Sequence, residues 1–145
     1  MALKGVLLRI RLPIIVVMHI AIVIVSYIFA FYIRFDFMLS QQEAQIILRT
    51  ILVLILVKGC IFYFFNLFSG MWKYVSMEDM WQILKANSAA TVSFVLFIVF
   101  THGLIGYPRS VFILDWVLCT GFIAGIRFLS RSFRERFIPI KGQKR

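Results

Sequence analysis

Four long apolar runs divide the chain, at 13–33, 46–67, 86–105 and 110–129. A helix needs about 20 mostly apolar residues to cross the hydrocarbon core of a bilayer, and each run meets that length. The last two are joined by a short link centred on residues 102–109, which holds Gly103, Gly106 and Pro108. So short a link makes an antiparallel helical pair and leaves no room for a domain. Pro13 suits the first turn of the first helix, and Pro139 closes the last.

The segment 69–85, between the second and third runs, has a different pattern. Ser76 and Asp79 carry the S-x-x-D spacing of a helix start. Met77, Met80, Trp81 and Leu84 then fall on one helical face, with Glu78, Asp79, Gln82 and Lys85 on the other. The pattern predicts a short amphipathic helix lying on the membrane surface, or else the first turns of a longer third helix. Trp72, Lys73, Tyr74 and Trp81 form an interfacial set of the kind found at headgroup level. The expected fold is therefore all-α: an integral membrane four-helix bundle over 13–130, after a basic N-terminus at 1–12 and before a basic linker at 131–145.

Composition sharpens this. Of 145 residues, 62% are apolar, and the mean hydropathy is +0.95. A soluble globule of this size cannot hide so much apolar surface. The net charge of +10 does not imply a nucleic-acid partner, because no soluble fold is present to carry a basic face. Lys4, Arg9, Arg11, Lys73, Lys85 and the seven basic residues from Arg127 onward gather on one side of the four spans. Arg34, Arg49 and Arg109 gather on the other. The positive-inside rule puts the richer side, with both termini, in the cytoplasm, where basic flanks meet anionic lipid. The first run is too long for a cleaved signal peptide and is followed by Arg34 and Asp36, so it reads as an anchor that stays. Cys60 and Cys119 lie inside apolar runs with no metal or disulfide spacing, and read as small hydrophobes.

Charges at membrane depth cost about 2.5–3.5 kcal/mol each on insertion scales, so the polar residues within the runs mark candidate sites. Lys58 lies deepest; it either snorkels or makes an interhelical ion pair or a lipid-phosphate contact. Asp115 sits one to two turns inside the fourth run. Arg34 and Arg109 on the same side are its expected partners, with Lys58 as the rival. His19 is expected as a neutral, hydrogen-bonded imidazole within reach of Asn87 and Ser88. Arg127, Arg131 and Arg134 form one stripe at the exit of the fourth helix, and that position suits anionic headgroups. Gly121 with Gly125, and Ala86 with Ala90, form small-x-x-x-small steps that let helices approach closely, within the bundle or between chains. No phosphate loop, dinucleotide fingerprint, nucleophile elbow or H-E-x-x-H motif occurs, and no catalytic or metal-binding set can be nominated.

Several stretches together resemble the N-terminal membrane region of CapD-type bacterial polysaccharide-biosynthesis proteins, which are membrane-bound nucleoside-diphosphate-sugar 4,6-dehydratases and epimerases. They are Ala30-Phe31-Tyr32-Ile33-Arg34-Phe35-Asp36, Val57-Lys58, and Phe68-Ser69-Gly70-Met71-Trp72-Lys73-Tyr74-Val75-Ser76 followed by Glu78-Asp79. Pro108-Arg109-Ser110-Val111 with Asp115, and Arg127 with Arg131, complete the set. Lys73 stands where the family commonly has Arg, and His19 where it commonly has an acid.

The resemblance implies a membrane anchor and assembly domain in the bacterial inner (plasma) membrane. A cytoplasmic Rossmann domain binding NAD(P) and a nucleotide sugar would follow residue 145. The chain itself would then hold no catalytic residue and no cofactor. Its partners would be the anionic bilayer, a second copy of itself, or other glycan-assembly membrane enzymes. Two rival readings are a freestanding or transferase-type domain that binds isoprenyl phosphate or anionic lipid, and a small transporter.

Overall fold

The computed structural model describes residues 2–68, 77–102 and 106–137, with side chains at 13–68, 77–101, 106–130 and 132. It is all-helical over these residues, with four helices: α1 (Ala2–Arg34), α2 (Gln41–Phe64), α3 (Met77–His102) and α4 (Arg109–Phe137). Each contains a stretch long and apolar enough to cross a membrane: Pro13–Arg34, Gln41–Phe64, Met77–Thr101 and Arg109–Ser130. At 1.5 Å per residue these 22 to 25 residues measure about 33–37 Å, enough for a hydrocarbon core of about 30 Å.

Two boundaries differ from the sequence reading, and a third settles a choice it left open. Pro13 lies inside α1, which begins at Ala2. A proline there removes one backbone hydrogen bond but does not end the helix. The amphipathic residues 77–85 are the opening turns of α3 and not a separate helix; the proposed start at Ser76, and Trp72, Lys73 and Tyr74, lie outside the described residues. α2 begins at Gln41 rather than 46, because Ser40 and Glu43 build a capping box. The Glu43 carboxylate accepts from the Ser40 amide at 2.8 Å, and the Gln42 amide donates to Ser40 Oγ at 3.3 Å. These contacts satisfy amides that the first turn of a helix otherwise leaves open.

The ends of α1 and α2 are built by left-handed residues. Asp36 and Phe37 have φ of 49° and 63°, and the Phe37 amide reaches back to the Tyr32 carbonyl at 2.8 Å. At the end of α2, Asn66 takes φ of 53°, a conformation asparagine tolerates better than most residues. The Leu67 amide then donates to the Phe62 carbonyl at 3.0 Å. This closes the helix in the Schellman manner and turns Leu67 into the core.

The helices form a closed ring in chain order, each touching the two beside it, with α1 also packed on α4. Cross-helix contacts show that the directions alternate. Ser26 meets Asp115, Tyr27 meets Thr50 and Tyr107, and Ser88 meets Trp116. One end, called here the tail end, carries Pro13, residues 64–68, Met77 and Ser130. The other, the link end, carries Arg34, Gln41, Thr101 and Tyr107.

Tyr27, Phe31, Leu54, Phe62, Ile83, Phe94, Ile98, Val111, Cys119 and Ile123 fill the core. Ala86 and Ala90 are fully buried, so their small step does bring helices together within the bundle. The outside is also apolar: Val17, Leu52 and Ile113 are each about two-thirds exposed. An outer surface so rich in large apolar side chains is suited to lipid and not to water.

Candidate site inside the bundle

Most buried polar side chains in this apolar interior meet partners that the fold supplies, although a few of their atoms do not. Lys58 on α2 is fully buried and Asp115 on α4 nearly so. Their Nζ and Oδ2 atoms are 2.6 Å apart. The two helices are diagonal in the ring, so the pair crosses its centre. Ser26 on α1 donates to the other carboxylate oxygen, Oδ1, at 2.9 Å, with the Val23 carbonyl as a second acceptor at 3.0 Å. Three helices thus converge on one carboxylate. An ion pair is held at this depth because each charge would be far more costly alone.

This decides between the readings of both residues. Lys58 neither snorkels nor reaches a lipid phosphate; it is an interhelical ion-pair partner. Arg34 and Arg109 are exposed at the link end and do not pair with Asp115, as had been expected. Depth along separate helices misjudged the match, because the four-carbon stem of a lysine spans the centre of the ring.

A second network lies toward the link end. The Thr50 hydroxyl donates to the Ile46 carbonyl at 2.6 Å, so it accepts from the Tyr27 hydroxyl, also at 2.6 Å. The Tyr27 oxygen is then left to accept from Tyr107 at 2.5 Å. This one-way chain fastens the loop residue Tyr107, stacked on Phe112, to α1 and α2. A third network ties α3 to α4. Asn87 Nδ2 donates to the Trp116 carbonyl and to Thr120 Oγ1, both at 2.9 Å. The Trp116 indole donates to Ser88 at 3.1 Å. Neither Asn87 nor Ser88 bonds to His19, contrary to the expected contact.

At the tail end His19 is buried between the ring edges of Phe62 and Phe68. Its Nδ1 lies 2.9 Å from the Ile15 carbonyl one turn back on the same helix. Its Nε2 has no hydrogen-bond partner. Arg127 is 98% buried, which corrects the expectation that it meets lipid headgroups. One of its terminal nitrogens donates to the Leu67 carbonyl at 2.8 Å, while its Nε has no partner. Gln82 donates to the neighbouring Phe65 carbonyl at 2.7 Å. Together these two side chains satisfy the carbonyls of the α2 cap, Phe65, and of Leu67 in the turn that follows it, and the positive charge complements the helix terminus. Asp79 on α3 lies within electrostatic range of Arg127. Arg131 and Arg134 belong to α4, but their side chains fall outside the described residues.

The remaining predicted positions lie on the surface. Trp81 is exposed, with the Lys85 amine 5.9 Å from its ring centroid, consistent with an interfacial pair. Among the described residues, a β-carbon added at Gly121 or Gly125 meets no atom within 4 Å, so this step is not a close packing face there. Among the described residues, no three His, Cys, Asp or Glu side chains are grouped to hold a metal ion.

Sequence reasoning flagged Lys58, Asp115, Asn87, His19 and Arg127 by the energetic cost of burying them. It missed Ser26, Tyr27, Thr50 and Tyr107. Hydroxyls carry no such alarm, and only their mutual contacts reveal them.

The fold and its interior define a four-helix bundle of membrane-spanning type, in which buried polar groups join helix to helix. No family model, curated protein or solved structure matches the chain.

Proposed function

We propose that this bundle is a membrane anchor and assembly domain serving a nucleotide-sugar dehydratase or epimerase of the CapD type. It holds that enzyme at the cytoplasmic face of a bacterial plasma membrane. One observation carries the reading. Lys58, Asp115 and Arg127, three of the residues on which the resemblance rests, are the buried charged residues of the described bundle, and each bonds to a different segment of the chain. Residues shared with a family because they build its membrane domain would occupy such places.

In this role the chain provides position and not chemistry. NAD(P) and the sugar nucleotide belong to a cytoplasmic domain following the basic tail. The arginine-rich exit of α4 directs that domain toward anionic lipid. Asp115 is held between Lys58 and Ser26 in a role of structure.

The test is the size of the native gene product, measured by blotting source membranes with an antibody against this bundle. A band much larger than 16.9 kDa, which co-purifies with NAD(P)-dependent dehydratase or epimerase activity, is the expected result. A band at that mass would defeat the reading and leave a freestanding four-helix protein.

A further inference from the structure

His19 poses a chemical question that the bundle leaves open. A carbonyl oxygen can only accept, so the Nδ1–H of His19 donates to Ile15. In the neutral ring Nε2 then offers a lone pair. That atom is buried and has no partner. An orphaned buried acceptor costs about 1–3 kcal/mol, and its presence asks for a donor from elsewhere.

Space for one lies beside it. A cavity of about 10 Å³ is lined by His19, Ile20, Val23, Ile55, Gly59, Phe62 and Phe68. That is room for about one oxygen-sized group. A buried water needs two to four polar partners, and His19 has the only polar side chain in this lining. A water there would leave most of its own bonds unmade. A hydroxyl tethered to something else would need only the one.

The tether has a place as well. A groove of about 460 Å³ runs between α1 and α2, lined by Val16, Ile20, Ile55, Leu56, Gly59, Cys60, Tyr63, Asn66 and Phe68. It shares Ile20, Ile55, Gly59 and Phe68 with the small cavity, so the two spaces adjoin. Its lining is almost wholly apolar, and the exposed Leu56 and Tyr63 at its rim belong to a face suited to lipid. Gly59 keeps it open: a β-carbon at that position would meet nothing within 4 Å.

We propose that this groove binds a long-chain lipid alcohol. The hydrocarbon chain lies between α1 and α2, and the terminal hydroxyl donates to His19 Nε2. The depth is appropriate, since His19 lies six residues inside Pro13, about 9 Å from the tail end of the span. The proposal requires only that the bundle sits in a membrane. It does not depend on which enzyme the bundle serves.

The test uses the full chain in phosphatidylcholine vesicles with a diazirine-bearing hexadecanol. Labelled peptides are mapped by mass spectrometry. The label is expected on residues 55–63 and 16–20. Unlabelled hexadecanol should compete about tenfold better than hexadecyl methyl ether, which has the same chain but cannot donate. Gly59→Leu should abolish this labelling by filling the groove, while Gly121→Leu, at another open glycine, should leave it intact. His19→Phe, which keeps a ring between Phe62 and Phe68, should retain labelling but lose the preference for alcohol over ether.

Equal competition by alcohol and ether would overturn the hydroxyl contact. Labelling unchanged in Gly59→Leu would overturn the groove. Competition by phosphatidylglycerol but not by hexadecanol would overturn the ligand class in favour of a phospholipid. None of these results bears on the mass of the native gene product, so the two proposals fail separately.

Discussion

At the centre of the bundle both oxygens of Asp115 have partners, Lys58 on one and Ser26 on the other. At the tail end His19 and Arg127 are equally buried, yet each keeps one nitrogen without a partner. The two regions are built from similar materials, buried polar side chains under an apolar shell. They differ in how the bonds are directed. The central residues bond across the ring, from α1 and α2 to α4. His19 bonds only within its own helix, and Arg127 bonds to a backbone carbonyl at the end of α2. The centre therefore specifies which helices meet and in what register. The tail end leaves hydrogen-bonding capacity beside an opening to lipid.

The sharpest way to break this contrast is to cut the central pair. Asp115→Leu alone leaves a buried ammonium without its counter-charge and should destabilise the bundle by about 3–5 kcal/mol. Lys58→Leu alone should cost a similar amount. The double substitution removes both desolvation penalties and should recover most of the loss. Reversible unfolding in mixed micelles, run as a double-mutant cycle, gives the coupling directly. Additive losses in the double variant would show that the two residues act apart.

A smaller effect is expected at the other region. Arg127→Leu removes one charge-assisted bond to the Leu67 carbonyl and should cost about 1.5–3 kcal/mol. Hydrogen exchange at the end of α2 should rise with it, since that carbonyl sits in the turn that closes the helix. Exchange that rises evenly through all four helices would mean that Arg127 supports the whole bundle and not that terminus.

The smallest change should come from His19→Phe. No bond to another helix is lost, and a ring still fills the space between Phe62 and Phe68. Loss of the Nδ1 bond to Ile15, about 0.5–1.5 kcal/mol, is offset by removal of the orphaned Nε2, so the unfolding midpoint should fall less than in Arg127→Leu. A loss as large as that of Arg127→Leu would give His19 a structural task and erase the contrast between the two regions.

The helices were easy to find in the sequence because lipid imposes a simple length and composition rule. Their pairing was harder. Lys58 and Asp115 were recognisable as expensive residues, but their union depends on the ring bringing α2 and α4 onto a diagonal. No local pattern encodes that. The early start of α2 was in principle readable from Ser40 and Glu43. Gln41, Gln42 and Glu43 dilute the apolar signal there and mask that start. The Arg127 contact was illegible, since its acceptor is a main-chain oxygen exposed by the left-handed turn at Asn66. The expected bond from His19 to Asn87 failed because each side chain found a nearer partner, His19 on its own helix and Asn87 on α4.

The diagonal pair also sets an order of events during synthesis. Lys58 and Asp115 are separated by 57 positions in the chain. At a translation rate of about 5–20 residues per second, Lys58 emerges roughly 3–11 s before its counter-ion exists. For that interval the first two helices carry an uncompensated cation. They have reason to stay beside the insertion machinery, or near water, until the fourth helix arrives. Only when Asp115 has been made can the buried cation of α2 be neutralised, so the fourth helix completes the bundle electrostatically as well as sterically.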